Sequence, residues 1–160
     1  MSEPSSHPWV GTFGSYLLCV KGDSAVTIKR VRYEMPVRPV DVDLMVREVY
    51  EDSSVLVSAV GEPPDFVDGD PALELDGVFA PMRAPVRIDR PCGSPRYEHG
   101  FTELLFVVKV DQRGGLLDEV RLDYVVDGYP GQYTLELDWR IVLCGDAIGV
   151  DAGKAYCADT

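Results

Sequence analysis

The stretch Gln132 to Cys144, QYTLELDWRIVLC, decides the fold, because nowhere else in the chain do apolar residues alternate for so long. Tyr133, Leu135, Leu137, Trp139, Ile141 and Leu143 fall on one face of an extended strand, and Thr134, Glu136, Asp138 and Arg140 on the other. One apolar face with a period of two describes a half-buried strand over a large core, so the chain is expected to be a soluble all-β domain. On this reading Trp139 lies between two sheets, in phase with Leu137 and Ile141, and its replacement by alanine costs about 3 to 5 kcal/mol.

Turn chemistry at Asp127-Gly128 and Pro130-Gly131 joins this strand to Leu117–Val126, where Val120, Leu122 and Tyr124 alternate with charged residues. Gly114-Gly115 in turn leads back to a strand beginning at Phe101. There Leu104, Phe106, Val108 and Val110 occupy one face and Leu105 and Val107 the other, which implies a central position. These strands read together as an antiparallel meander.

Nearer the N-terminus, Tyr16 to Val20 is the first expected strand, and Lys21 to Ser24 supply a turn. Ala25 to Tyr33 changes alternation phase near Lys29-Arg30, which predicts a β-bulge. Val40 to Val46 alternates as a strand does. Val42, Met45, Val46, Val49 and Tyr50 also fit a helical stripe, but the β-branched content favours a strand. Val55 to Val60 is a further short strand.

Between Pro63 and Pro95 the chain carries seven of its twelve prolines and the acidic residues Asp65, Asp68 and Asp70. Proline donates nothing to a ladder, so this segment is an excursion with short edge strands at Leu73–Phe79 and Val86–Ile88. The domain organisation is then a flexible lead-in over 1–14, a β-sandwich over 15–145 and an irregular tail over 146–160.

Length and charge narrow the function. A chain of 160 residues is most simply one domain, able to bury roughly 70% of its unfolded surface. With 15 basic and 27 acidic residues its net charge is -12, which works against nucleic acid and anionic membranes and leaves proteins, glycans or cations as partners. No apolar run approaches the roughly 20 residues of a spanning helix, so membrane insertion is not expected. Met1 to His7 lack the basic and apolar regions of a secretion signal. The four cysteines, Cys19, Cys92, Cys144 and Cys157, are widely spaced with no C-x-x-C pair. They are expected to form two disulfides in an extracytoplasmic or secreted protein, the alternative being four thiols in a cytoplasmic one.

Seven to nine short strands with a turn about every ten residues resemble the immunoglobulin-like β-sandwich over residues 15 to 145. The Cys…Trp…Cys spacing of true immunoglobulin domains is missing, since Trp139 lies just before Cys144. The resemblance implies that the first and last strands lie side by side, and so a bond between Cys19 and Cys144 that leaves Cys92 with Cys157.

Chemistry-bearing residues are sparse. His7 and His99 have no nucleophile turn beside them, so no catalytic set is assigned. A cupredoxin-like copper site is excluded because no His or Met follows Cys144, and Asp65, Asp68, Asp70 and Asp76 do not match a calcium loop. Neither a metal nor a cofactor is expected. Arg83, Arg87, Arg90 and Arg96 concentrate positive charge in the excursion, where they receive a partner's carboxylate or pair with the acidic surface. Tyr50, Tyr97 and Tyr129 fall in or beside loops, where rings stack on sugars or anchor proteins. The expected function is therefore a non-catalytic binding or structural domain of a cell-envelope or secreted protein. A carbohydrate-binding module using the loop aromatics and a small hydrolase are the alternatives.

Overall fold

The computed structural model describes residues 8–50, 56–66, 75–92, 100–149 and Cys157. Its strands are β1 (Trp9–Leu18), β2 (Val26–Val37), β3 (Asp41–Val49), β4 (Ser58–Val60), β5 (Val78–Pro81), β6 (Val86–Ile88), β7 (Phe101–Val110), β8 (Gly115–Val126), β9 (Tyr133–Leu137) and β10 (Ile141–Leu143). They form a two-sheet antiparallel sandwich. One sheet has the order β4-β1-β7-β3-β5, and the other has β10-β8-β2-β6 with β9 also paired to β8.

β7 is the middle strand of its sheet, as apolar residues on both of its faces imply. Leu104, Phe106, Val108 and Val110 pack between the sheets with Ile28, Leu117, Val120, Leu122, Ile141 and Leu143. Its other face is buried as well, and there it carries Glu103 beside Leu105 and Val107. Two segments reach that outer face: Val57, ahead of β4, donates its N–H to Glu103 Oε1 at 3.1 Å, and in the Pro-rich excursion the carbonyl of Asp76 accepts from Arg47 Nε at 2.7 Å.

Glu103 and Arg47 are both fully buried and form an ion pair at 3.2 Å. The guanidinium lies between the rings of Phe79 and Phe101, 5.7 and 5.6 Å from their centroids. Ser15 N–H donates to the same carboxylate at 2.7 Å. Gly14 makes this possible, since a Cβ at that position would overlap Glu103 Oε1.

Several local expectations hold. The pairing of β2 with β8 slips between Ile28 and Arg30, the bulge that the phase change near Lys29 predicts. Asp41–Val49 is a strand rather than a helix. β6 is the expected edge strand Val86–Ile88, and β5 is an edge strand of the other sheet but runs over Val78–Pro81, sharing only Val78 and Phe79 with the expected Leu73–Phe79.

Other expectations are corrected. β1 begins at Trp9, not at Tyr16, so residues 9–14 of the expected lead-in are strand. Trp9 is its first residue and is buried opposite Val110. Gly114-Gly115 does not close a hairpin within one sheet: β7 and β8 lie in different sheets, so the turn is a corner, and what remains of the expected meander is β8 paired with the interrupted strand of β9 and β10. Gly114, at φ 78°, fits the corner because a Cβ there would lie 2.5 Å from the carbonyl oxygen of Leu143.

The disulfides are Cys19–Cys92 and Cys144–Cys157, not Cys19–Cys144 and Cys92–Cys157. The reason is topological. β1 pairs with β4 and β7, whereas β10 pairs with β8 in the opposite sheet. Cys19 also follows Leu18, which faces Thr102, while Cys144 follows Leu143, which faces Gly115 at the corner beyond Val110. These ends are separated by the length of β7, about 30 Å, far beyond disulfide reach. Cys92 meets Cys19 instead because Val20 exchanges backbone bonds with Arg90 and Cys92, at 2.9 and 2.8 Å.

Candidate functional site

The strand that organises the sequence is an edge strand. Among the described residues β9 pairs only with β8, and of its apolar residues Leu137 packs against the core while Tyr133 and Leu135 stay open to solvent. Tyr133 is 41% exposed, Leu135 48% and Trp139 58%, which overturns the burial of Trp139. Asp138, Trp139 and Arg140 lie between β9 and β10, where the ladder on β8 is interrupted; beyond the break Ile141 and Leu143 are buried. The result is a seam between β1 of one sheet and β9 and β10 of the other.

At one end of the seam the sheets part around a cleft of about 530 Å³. Leu17 and Leu18 of β1, Ile28 of β2 and Leu122 of β8 line its apolar interior, with Tyr124, Tyr129, Tyr133 and Leu135 on the β8–β9 side. Lys21, Asp23 and Ser24, from the turn between β1 and β2, add polar groups. Tyr124 and Tyr133 stack at 5.6 Å, while Tyr129 is exposed on the connecting turn.

A polar network holds β9 in place. Arg32 donates two hydrogen bonds to Asp123, at 2.8 and 2.7 Å, and Thr134 Oγ1 donates a third at 2.7 Å. One carboxylate thus ties β2, β8 and β9 together. The Arg32 hydrogen bonds, then that of Thr134, hold its pKa down at about 2.

Further along the seam a second recess, of about 650 Å³, surrounds Trp139. Phe13, Asp118, Glu119, Asp138, Arg140 and Val142 complete its lining. The indole lies against Tyr16 at 5.8 Å with a tilt of 56°, and Tyr16 lies against Phe106 in the core at 5.3 Å. Burial of the Tyr16 hydroxyl raises its pKa to about 12. Arg140 Nε pairs with Asp118 Oδ2 at 2.9 Å, and Arg121 bridges Glu119 and Glu136. Glu119 has a φ of 49°, unusual for a side-chain-bearing residue.

The candidates singled out from the sequence lie elsewhere, apart from Tyr129. Tyr50 is exposed and stacks with Arg90, whose guanidinium donates to the carbonyl of Val49 at 2.6 Å and pairs with Glu48 at 3.5 Å. Arg87 pairs with Asp127 at 2.6 Å, so both arginines serve internal contacts. Arg83 is exposed. Arg96, Tyr97, His7, His99, Asp68 and Asp70 lie outside the described residues. Asp65 and Asp76 belong to no potential metal-holding group among the described residues. No helix there is long and apolar enough to cross a membrane.

Tyr124, Tyr133, Leu135 and Trp139 are the residues that the sequence misassigns to a covered face or leaves unremarked. The signal for them was the alternation itself, together with the charged residues on either side of Trp139. Compared with known proteins, the chain matches no family model, no curated protein and no solved structure.

Proposed function

We propose that this chain is a non-catalytic binding domain of immunoglobulin-like type, part of a secreted or cell-envelope protein, which takes an amphipathic ligand into the tyrosine-lined cleft. The cleft carries the reading. It places an apolar interior within reach of solvent beside tyrosine hydroxyls, Lys21, Asp23 and Ser24, the mixture of apolar wall and few polar groups that small-molecule sites use. A ligand with an apolar body and a polar end matches that lining. The two disulfides support an oxidising compartment, where such bonds persist. The strand order supports the immunoglobulin-like assignment: β1-β7-β3 opposite β10-β8-β2 corresponds to B-E-D opposite G-F-C.

The neutral apolar dye Nile red tests the reading. Its emission is expected to brighten saturably with the native domain. Leu135→Ser and Tyr129→Ala, both at exposed positions, are expected to weaken binding without altering the fold. Unsaturable brightening, or equal affinity in both variants, would remove the cleft from consideration.

A further inference from the structure

We propose that the recess around Trp139 is a separate binding site for neutral glycans, with the indole as the platform for a sugar ring and Asp138 and Glu119 as acceptors for its hydroxyls. The site does not depend on the tyrosine-lined cleft, with which it shares no lining residue.

The first observation is the exposure of Trp139 beside a buried run. Ile141 and Leu143 are covered, but the indole is 58% exposed although it continues their alternation. It is also held from behind. Tyr16 supports it and is itself seated on Phe106, so the ring is ordered before any ligand arrives and stacking on it costs little conformational entropy. A pyranose ring presents an apolar C–H face of the kind an indole receives.

The second observation is the chemistry of the surrounding wall. Asp138 has no hydrogen-bond or ion-pair partner among the described residues and lines the recess beside the indole. Glu119 binds Arg121 through one carboxylate oxygen, Oε2, and Asp118 pairs with Arg140, which places a cation within an otherwise acidic rim. Carboxylates accept from hydroxyls in charge-assisted hydrogen bonds, and a guanidinium donates to hydroxyl oxygens. Together they provide both halves of the hydrogen-bonding pattern that a polyhydroxylated ring presents.

The other ligand classes fit less well. A divalent cation needs converging oxygens, and no potential metal-holding group occurs among the described residues. Anionic glycans and nucleic acids meet three carboxylates against one guanidinium in the recess, on a chain of net charge -12. A purely apolar ligand leaves Asp138 desolvated without compensation. A neutral glycan uses both the ring and the carboxylates.

Tryptophan fluorescence reads the site directly, because the only other tryptophan, Trp9, is buried. The wild-type domain is titrated with cellohexaose, chitohexaose, laminarihexaose and mannohexaose, with glucose and N-acetylglucosamine as single-unit ligands and heparin as the anionic comparison. At least one neutral oligosaccharide is expected to shift Trp139 emission to shorter wavelength and protect it from acrylamide. Tighter binding of an oligosaccharide than of its monosaccharide assigns the site to chains, and comparable binding assigns it to single sugar units. Calorimetry is expected to show no binding to Trp139→Ala and about tenfold weaker binding to Asp138→Asn, the loss of one charge-assisted hydrogen bond. Asp138→Asn is expected to unfold as the wild type does, so its weaker binding reports contact with ligand and not a structural role. No response to any neutral oligosaccharide, equal affinity in Trp139→Ala or Asp138→Asn, or preferential binding of heparin would overturn the proposal.

Discussion

Replacing Arg47 by methionine removes one half of an ion pair that the sandwich encloses on its outer face, and the structure sets the size of the loss. Among the described residues the Glu103 carboxylate then keeps only the amides of Ser15 and Val57 as donors, in a site with no exposure to water. Leaving one charge of such a pair without its partner costs about 3 to 5 kcal/mol. Glu103→Leu is expected to lose at least as much, because the guanidinium keeps its bond to Asp76 while the two amides lose their acceptor. A domain of this kind has about 5 to 15 kcal/mol of stability in total, so either change removes a large fraction. Arg47→Met combined with Glu103→Leu is expected to lose less than the sum of the two single losses, since it strands no charge; what remains is the cost of leaving the amides of Ser15 and Val57 and the carbonyl of Asp76 without these partners. Urea unfolding followed by far-ultraviolet circular dichroism measures all four proteins without added salt. A loss below about 1 kcal/mol in Arg47→Met, the value of a solvated surface pair, would refute the claim that this face is sealed from water.

Asp123 has its pKa held down at about 2, against 3.8 for an ordinary aspartate, so its contribution to stability is complete above about pH 4 and is lost as the pH falls towards about 2. Urea midpoints taken through that window are expected to fall less steeply in Asp123→Asn than in wild type. Gly100→Ala is expected to cost about 2 to 3 kcal/mol, because Gly100 has a φ of 74° and a Cβ there overlaps the Val49 carbonyl oxygen; urea unfolding checks it. Loss of the Cys19–Cys92 bond, spanning 73 residues, is expected to cost about 4 kcal/mol, and loss of Cys144–Cys157, spanning 13, about 3 kcal/mol on the chain-entropy estimate. Unreduced peptide mapping identifies the pairs, and a peptide joining Cys19 to Cys144 would contradict the strand order.

What was legible in the sequence was local. The two-faced run at Phe101–Val110 gave a central strand, the phase slip at Lys29 gave a bulge, and the prolines near Pro81 and Pro85 gave edge strands. Each follows from side-chain periodicity or a missing backbone donor. Sheet membership did not follow, because a Gly-Gly corner and a Gly-Gly hairpin look alike in one dimension. That ambiguity at Gly114 hid the step from β7 to β8, and the assumed adjacency of the first and last strands misled the disulfide assignment. Alternation at Tyr133 to Trp139 indicated which way the side chains point but not whether a second layer covers them. The exposed face was therefore read as core, and the buried Arg47–Glu103 pair, whose residues sit in unremarkable strand sequence, left no signal at all.

Ligand entry at the open seam between β1 and β9 is read most directly by an amide chemical-shift map with octyl glucoside, titrated below its micelle threshold. Saturable shifts are expected from Leu17 to Ser24 and from Tyr124 to Leu135, the segments that line the cleft. Shifts confined to β5 and β6 at the far edges of the two sheets, or arising only when micelles form, would contradict it.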